Sequence, residues 1–500
     1  MRNVLQTWTS AQVRAAEEPL LALGVPLMER AAFALHVRTA AVLRERRGAV
    51  AGARVVVLAG PGNNGGDALF AGALLARRGV DVHAVLTASR VHEGGLGALV
   101  QAGGRVVRVD GPVDDAAALA AGADLVLDGL LGIGADGSGV RGAAGALVEA
   151  LLALPEDGRP YVVAVDVPSG LGVDDGRRDG TVLDADLTVT FGARKPGLLL
   201  PPGSRAAGRV ELVDLGLDLT GPPAVARLEP ADVADLWPVP ASDAHKYTRG
   251  VVGVVAGSRA YQGAALLTTS AAVLTGVGMV RYLGDVADMV VAAHPEVVVG
   301  HGRVQAWVFG PGVSPDDAGQ RRRIEYAFEH VLERGEAAVV DAGALELLPA
   351  HVGPHAVLTP HAGELARVLV QRGEDVDRAA VEAQPLLWAR RAHELTGATV
   401  LLKGPVTVVA GAQGAAYAQA DAPAWLSTAG AGDVLAGLLG ALLAGRIDAV
   451  NEDPSFAAAL AAAAALVHGR AAHRANPGGP IAARAVAEAL PGTIAELLRA

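Results

Sequence analysis

Carboxylates set among glycines and small polar residues are the part of this chain best suited to chemistry, and they fall into two groups. In the first, GPGNNGGDAL (60–69), the paired amides of Asn63 and Asn64 stand next to Asp67. Amide oxygens and a carboxylate in a glycine-rich loop can bind a cation and a sugar or ring hydroxyl together. Two further loops, DGLLGIGADGSGVRG (128–142) and AVDVPSGLGVDDG (164–176), add Asp128, Asp166 and Ser169. Acidic loops converging on one rim need a cation or a polyhydroxylated ligand, because gathered carboxylates otherwise repel one another and lose hydration. In the second group, STAGAGDVLAGLLGALLAG (427–445), small residues run into an apolar helical stretch. The free N–H groups at such a helix start point at an anion. Asp433 beside that anion would act as a base on an attacking hydroxyl.

Several other chemistries are excluded. The first loop formally matches the G-x-G-x-x-G dinucleotide fingerprint, which expects an acidic residue at the end of the next strand to hold the ribose. Asp81 stands instead at the start of VDVHAVL (80–86), so that register is wrong. No G-x-x-x-x-G-K-[ST] occurs, so phosphate needs the second cradle and not a P-loop. There is no cysteine among the 500 residues, which removes disulfides, thiolate metal sites and thiol nucleophiles and fits a reducing cytoplasm. A formal charge of −11 gives no basic field for wrapping nucleic acid.

These residues have to be positioned by a framework, and the pattern supplies one twice. Hydrophobic residues are 51% of the chain and aromatics 3%, so a large core must be built from Ala, Val and Leu. After a helical opening that breaks at Gly24-Val25-Pro26, β-rich runs alternate with helical ones: 54–60, 80–86, 105–110, 124–130 and 161–167, closed by 186–191 and 209–213. The proline-rich segment 216–242 reads as a linker, with a boundary near residue 225. The alternation restarts at 251–258 and continues through 306–312, 337–343, 356–361 and 399–404, before an Ala-rich helical end in which 457–467 reads as a buried helix. The expectation is an α/β protein with two three-layer domains, 1–225 and 226–500, each a largely parallel sheet covered on both faces. The opening segment MRNVLQTWTSAQVRAAEEPL lacks a continuous apolar core, and uncharged stretches such as 263–280 are broken by Gly, Thr and Ser, so neither export nor a membrane span is expected.

The motifs GPGNNGGD, LLGxG, VDVPSG and TFGARKPG (190–197), in that order, resemble the epimerase half of the NAD(P)H-hydrate repair enzymes over nearly all of residues 1–220. The resemblance implies a Rossmann-like domain in which Asn63, Asn64, Gly65, Gly66, Asp67, Gly132, Ile133, Gly134, Ala135, Asp136, Gly137, Ser138 and Asp166 hold the hydrated nucleotide. It also implies a potassium ion on Asn64, Asp128 and Ser169, with Asp67 and Asp166 as the catalytic carboxyls. Ala68 departs from the family loop, which usually continues with glycine.

STAGAGD resembles the glycine-rich anion hole and catalytic aspartate of the ribokinase-like superfamily, and the segments 245–267, FGPG (309–312), LTPHAGELARVL (358–369) and LLKGPVT (401–407) resemble its NAD(P)H-hydrate dehydratase branch, over about residues 240–445. By that resemblance Lys403, Gly404, Pro405, Val406, Thr407 and Gly432 contact ADP, carried with Mg2+, while Ala264, Gly312, His361 and Asp433 contact the hydrated nicotinamide nucleotide. The departures are FGPGVS, VVDAGAL, PHAG and AGAGD, and the second of these loses an acidic residue at Gly343. The implied function is bifunctional repair: epimerisation of hydrated NADH or NADPH at C6, then dehydration of the S epimer with ADP, releasing AMP and phosphate. The partners expected are these small molecules, with no nucleic acid and no membrane, in a cytoplasmic homo-oligomer. Two alternatives stay open, a ribokinase-superfamily small-molecule kinase with an accessory ligand-binding domain and a non-enzymatic binding module.

Overall fold

In a computed structural model the described residues are 4–109, 111–314 and 316–499. The first three residues of the opening segment and Asp110, the last residue of the strand expected at 105–110, lie outside them. Two compact units divide the chain, one of Gln6–Ala224 and one of Val225 onward together with the segment that ends at Leu5.

The first unit is built on a seven-stranded, wholly parallel sheet in the order Arg105–Arg108, Asp81–Leu86, Arg54–Ala59, Leu125–Gly129, Tyr161–Val165, Leu187–Phe191, Arg209–Val213. Buried strands with helices on both faces need apolar residues on both sides, and Arg54–Ala59 shows why its Val-rich run qualifies. Val55, Val57 and Ala59 join one core cluster with Leu35, Leu43 and Leu69, while Val56 and Leu58 join another with Leu147 and Leu151. The alternation of the pleat therefore fills two layers from one strand. Strand order reverses between Arg54–Ala59 and Leu125–Gly129, and the crevice beyond the carboxyl ends at such a reversal is where open α/β sheets bind ligands.

In the second unit the strands run in the order Val225–Arg227, Ala416–Gln419, Thr407–Ala410, Thr399–Leu402, Ala356–Leu358, Ala337–Val340, Ala306–Phe309, Val251–Val255, Met279–Tyr282, Val298–Val299. From Thr399–Leu402 onward all pairings are parallel, and Thr407–Ala410 is antiparallel to both of its hairpin neighbours. The Ala-rich end forms the helix Phe456–Ala475, in which Ala457 through Ala464 are at most 2% exposed. Side chains this small let a helix lie close to the sheet, which is how a core nearly free of aromatics reaches close packing.

The segment 216–242 is not a plain linker. Val225–Arg227 is a strand of the second sheet, and Leu228, Val233, Leu236 and Trp237 are buried in its core. Prolines hid these anchors, because the one at position 230 starts a short helical turn instead of interrupting one. Among the described residues no single helix is long and apolar enough to cross a membrane.

Candidate active sites

In the first unit the segment 60–69 is less of a loop than its glycines suggest. The helix Asn63–Ala76 begins immediately after Gly62, so Asn63, Asn64 and Asp67 lie on its first turns. Gly65 has to lack a side chain: a Cβ there would stand 2.3 Å from the carbonyl oxygen of Gly60. Both hydrogens of the Asn64 amide are donated to backbone carbonyls, of Leu131 at 2.8 Å and Val165 at 2.6 Å, which leaves the amide oxygen as the group on offer.

Asp128 and Ser169 lie fully buried beneath this turn. The Ser169 hydroxyl donates to Asp128 Oδ1 at 2.6 Å, the Ser169 N–H donates to Asp128 Oδ2 at 2.8 Å, and the Leu131 N–H donates to the serine hydroxyl at 2.8 Å. Burial pushes the Asp128 carboxyl up to about 6 despite these donors, and among the described residues no Lys, Arg or His pairs with it. Asn64 and Ser169 both meet the Leu131 backbone, and Ser169 in turn holds Asp128, a carboxyl without a charged partner among the described residues.

A cleft of about 570 Å³ opens above, lined among others by Asn63, Asn64, Asp67, Gly132, Ile133, Gly134, Ala135, Asp166 and Lys195. Asp136, Gly137 and Ser138 do not line it. Asp136 instead accepts from the Ser138 N–H and hydroxyl at 3.0 and 2.5 Å. The two expected carboxyls differ sharply in setting. Asp166, at a left-handed φ of +68°, accepts from Lys195 Nζ in a buried ion pair and also from the Thr190 hydroxyl and the Phe191 N–H. Asp67 has a buried Oδ1 without a hydrogen-bond partner. Burial first, then the charges of Asp166 and Glu17, hold its pKa well above the carboxylate range against the pull of Lys195.

The second site is assembled from the carboxyl ends of five parallel strands. Gly257 follows Val251–Val255, Gly312 follows Ala306–Phe309, Asp341 follows Ala337–Val340, His361 follows Ala356–Leu358, and Lys403 follows Thr399–Leu402. Gly430, at φ +90°, caps the helix Ala431–Gly445. Lys403 Nζ donates to Asp341 Oδ1 at 2.7 Å and lies 3.9 Å from Glu364. A Cβ on Gly432 would fall 3.4 Å from that ammonium. The helix start, the lysine and Asp341 therefore meet. Burial lowers the Lys403 pKa, but Asp341 and Glu364 outweigh it, so the ammonium stays charged. Asp433 on the first turn is pushed up to about 6, by burial and then by Asp341, with Lys403 opposing.

Ala264 and Gly312 face each other, since a Cβ on Gly312 would come within 2.5 Å of the Ala264 methyl. Gly404, Pro405 and Val406 make the turn between two antiparallel strands, and Thr407 opens the second of them. His361 is exposed and caps the helix Ala362–Val370, accepting from the N–H groups of Gly363 and Glu364 at 3.1 and 3.2 Å. One ring nitrogen is thus committed to structure.

Four polar residues at these sites escaped the sequence reading. Lys195 stands inside the TFGARKPG motif but carried no signal of its burial, and Glu17 comes from the opening helix. Asp341 is the acidic residue that VVDAGAL retains, so the loss at Gly343 does not empty the site of charge. His468, in the middle of the Ala-rich helix, is buried with an unpartnered Nε2 and is pushed down to about 4, chiefly by burial; its ring lies against the Ala431 backbone, and the Lys403 charge adds to the effect.

The parallel sheet of the first unit, with a helix start at its topological switch point, and the largely parallel sheet of the second, with a lysine–aspartate pair under a glycine-rich helix start, define a two-site α/β enzyme with a Rossmann-like first half. The family model described as NAD(P)H-hydrate dehydratase matches residues 252–490, and that described as YjeF-related protein N-terminus matches residues 25–197. The bifunctional NAD(P)H-hydrate repair enzyme Nnr of Mycobacterium tuberculosis is 44% identical over 86% of this chain and 88% of its own length, and that of Mycobacterium leprae is 43% identical over 89% and 90%. The NAD(P)H-hydrate epimerase of Clavibacter sepedonicus is 50% identical over 45% of this chain and 96% of its own. The chain belongs to the bifunctional NAD(P)H-hydrate repair enzymes and combines an epimerase with a dehydratase.

Proposed function

We propose that the first site interconverts the C6 epimers of hydrated NADH or NADPH, and that the second dehydrates the S epimer with ADP, releasing AMP and phosphate. Hydration places a hydroxyl on C6, beside the ring nitrogen, and hydroxide is a poor leaving group. Phosphoryl transfer to that hydroxyl, with Asp433 taking its proton, makes phosphate the leaving group, and the nitrogen lone pair then expels it to restore the double bond. The observation that carries this reading is Asp433 itself: a carboxyl pushed up to about 6 on the first turn of the helix. A base is most effective when its pKa lies near the working pH.

In this reading Lys403, Gly432 and the N–H groups of the helix start hold the phosphates. Gly404, Pro405, Val406 and Thr407 lie along the nucleotide, and Ala264, Gly312 and His361 along the hydrated ring. Mg2+ would arrive on ADP: among the described residues no three His, Cys, Asp or Glu are placed to hold a metal ion by themselves, which suits an ion bound largely through phosphates. It would neutralise charge on the transferring group.

At the first site Asp67, with its buried Oδ1 unpartnered and its pKa raised first by burial, is the proton carrier, whereas Asp166 is already committed to Lys195 and holds the ligand. Potassium on Asn64, Asp128 and Ser169 fits the uncompensated buried carboxylate, and one carboxylate balances a monovalent ion. It would supply the missing counter-charge beneath the Asn64 turn. The absence of cysteine supports a cytoplasmic setting.

The test is to incubate each epimer with ADP or ATP and follow the absorbance of restored dihydronicotinamide together with free phosphate. Restored absorbance with stoichiometric phosphate is expected. A stable phosphorylated product without it would identify a small-molecule kinase.

A further inference from the structure

The family match to the first unit begins at residue 25, yet the helix Ser10–Ala22 before it reaches the epimerase cleft, where Arg14, Glu17 and Leu21 belong to the lining. The inward stripe of this helix is Val13, 1% exposed, and Leu20, packed against the core, with Glu17 between them. Helical spacing puts i and i+4 on one face, so a carboxyl occupies a place that packing alone would give to an apolar residue. Glu17 is half-buried, and among the described residues it has no hydrogen-bond or ion-pair partner.

The helix is also held in place. Thr9 and Gln12 form a capping box at its start, the Ser10 N–H and hydroxyl each donate to Asp174 at 2.7 Å, and Arg14 Nη2 donates to the Ile133 carbonyl at 3.1 Å. Ile133 lies in the loop that lines the same cleft. Two side chains therefore tie the helix to loops of the first unit and fix the position of Glu17.

We propose that Glu17 is a second proton carrier of the epimerisation, acting on the C6 centre together with Asp67. The inference rests on the epimerase reading above. Inversion by loss and return of water needs one carboxyl to give its proton to the C6 hydroxyl. The C–O bond breaks with its electron pair leaving on water, and the ring-nitrogen lone pair forms the N=C6 bond. Water then adds to the other face while its proton passes to a carboxylate there, so protons balance over the cycle. Inversion by ring opening makes the same demand: a base takes the hydroxyl proton as C6–N breaks, and an acid protonates nitrogen. A single carboxyl does not serve both faces, and Asp166 is engaged by Lys195, Thr190 and the Phe191 N–H. Among the described residues Glu17 is the remaining carboxyl in the cleft lining. Burial raises its pKa, as does Asp166, while Lys195 and Arg14 pull it down, so it is proton-bearing at higher pH than an exposed glutamate.

The experiment uses the full chain, starts from one purified epimer, and reads interconversion by chromatography across pH in the wild type, Glu17→Gln, Glu17→Asp and Asp67→Asn, with dehydration of the S epimer as the folding control. Glu17→Gln is expected to lower kcat for epimerisation about 100-fold with KM changed less than threefold, and to remove one limb of the pH profile. Glu17→Asp is expected to restore part of the rate and a displaced limb, and dehydration to be unchanged in both. Near-normal kcat with an unaltered pH profile in Glu17→Gln, or an effect on KM alone, overturns the proposal while leaving the epimerase reading intact. A wild type that does not interconvert the epimers above the spontaneous rate overturns both.

Discussion

Lys403 Nζ lies 2.7 Å from Asp341 Oδ1, and this ion pair sets the electrostatics under Asp433. Asp341 raises the Asp433 pKa and Lys403 lowers it, so their mutual neutralisation leaves burial to hold the base near 6. Replacing Asp341 with Asn removes the raising charge and frees the lysine. The acidic limb of the dehydration pH profile, expected near 6 in the wild type, should move to lower pH, with a lower plateau from a weaker base. A limb that stays in place would mean that another group is titrating.

Asp433→Ala should abolish dehydration, by about 100-fold to 10,000-fold, and leave epimerisation intact. The two activities draw on different compact units. Following both reactions in one preparation checks this, and loss of both in a folded variant would remove the two-site assignment.

Asp128 offers a stability test of the potassium site. Its folded pKa of about 6 exceeds the ordinary aspartate value of 3.8, so its stabilising contribution is present below pH 3.8 and lost as pH rises through 6. The loss approaches about 3 kcal/mol at neutral pH. A bound monovalent cation should cancel most of it. Thermal unfolding of the full chain, with a divalent-metal chelator present, should show a higher Tm in potassium than in a bulky organic cation at pH 7.5, a difference that shrinks below pH 5. Asp128→Asn should erase the difference. Equal melting in the two salts would count against the site, and an epimerase stopped by the chelator would indicate a divalent ion.

His468 gives the opposite sign. Its folded pKa of about 4 lies below the ordinary histidine value of 6.5, so its contribution is complete above pH 6.5 and is lost as pH falls through 4. The difference amounts to about 3 kcal/mol. His468→Met, close in volume and unable to protonate, should flatten the acid side of the stability curve for the second unit. Parallel curves for the two proteins would show that His468 does not limit acid stability.

The main architecture was legible because its strands are Val-rich and its glycine loops sit at their carboxyl ends. What was hidden followed from composition. The strand Ala416–Gln419 is half alanine, a type with weak strand preference, and it, Thr407–Ala410 and Met279–Tyr282 are each only four residues long. Glycines in GPGNNGGD suggested a loop, although Gly65 and Gly66 serve close packing inside a helix. Pairings across the fold left no local mark at all. Lys195 and Asp166 are 29 residues apart, and Lys403 and Asp341 are 62 apart. Glu17 could have been suspected from the break it makes in its helix's apolar stripe.

The left-handed backbone at Asp166 has a consequence for how this site can drift. Positive φ is tolerated by Gly, Asn and Asp, and from an aspartate codon both Asn and Gly are a single nucleotide change away. The chain's local conformation would accept either, producing a domain that keeps its shape and loses its charge. Lys195 does not accept it: at 1% exposure it would be stranded without its counter-ion, at a cost of about 3–5 kcal/mol. Mutational silence that the backbone would permit is thus converted into misfolding, so selection on cellular abundance guards the epimerase chemistry before any selection on catalysis is felt.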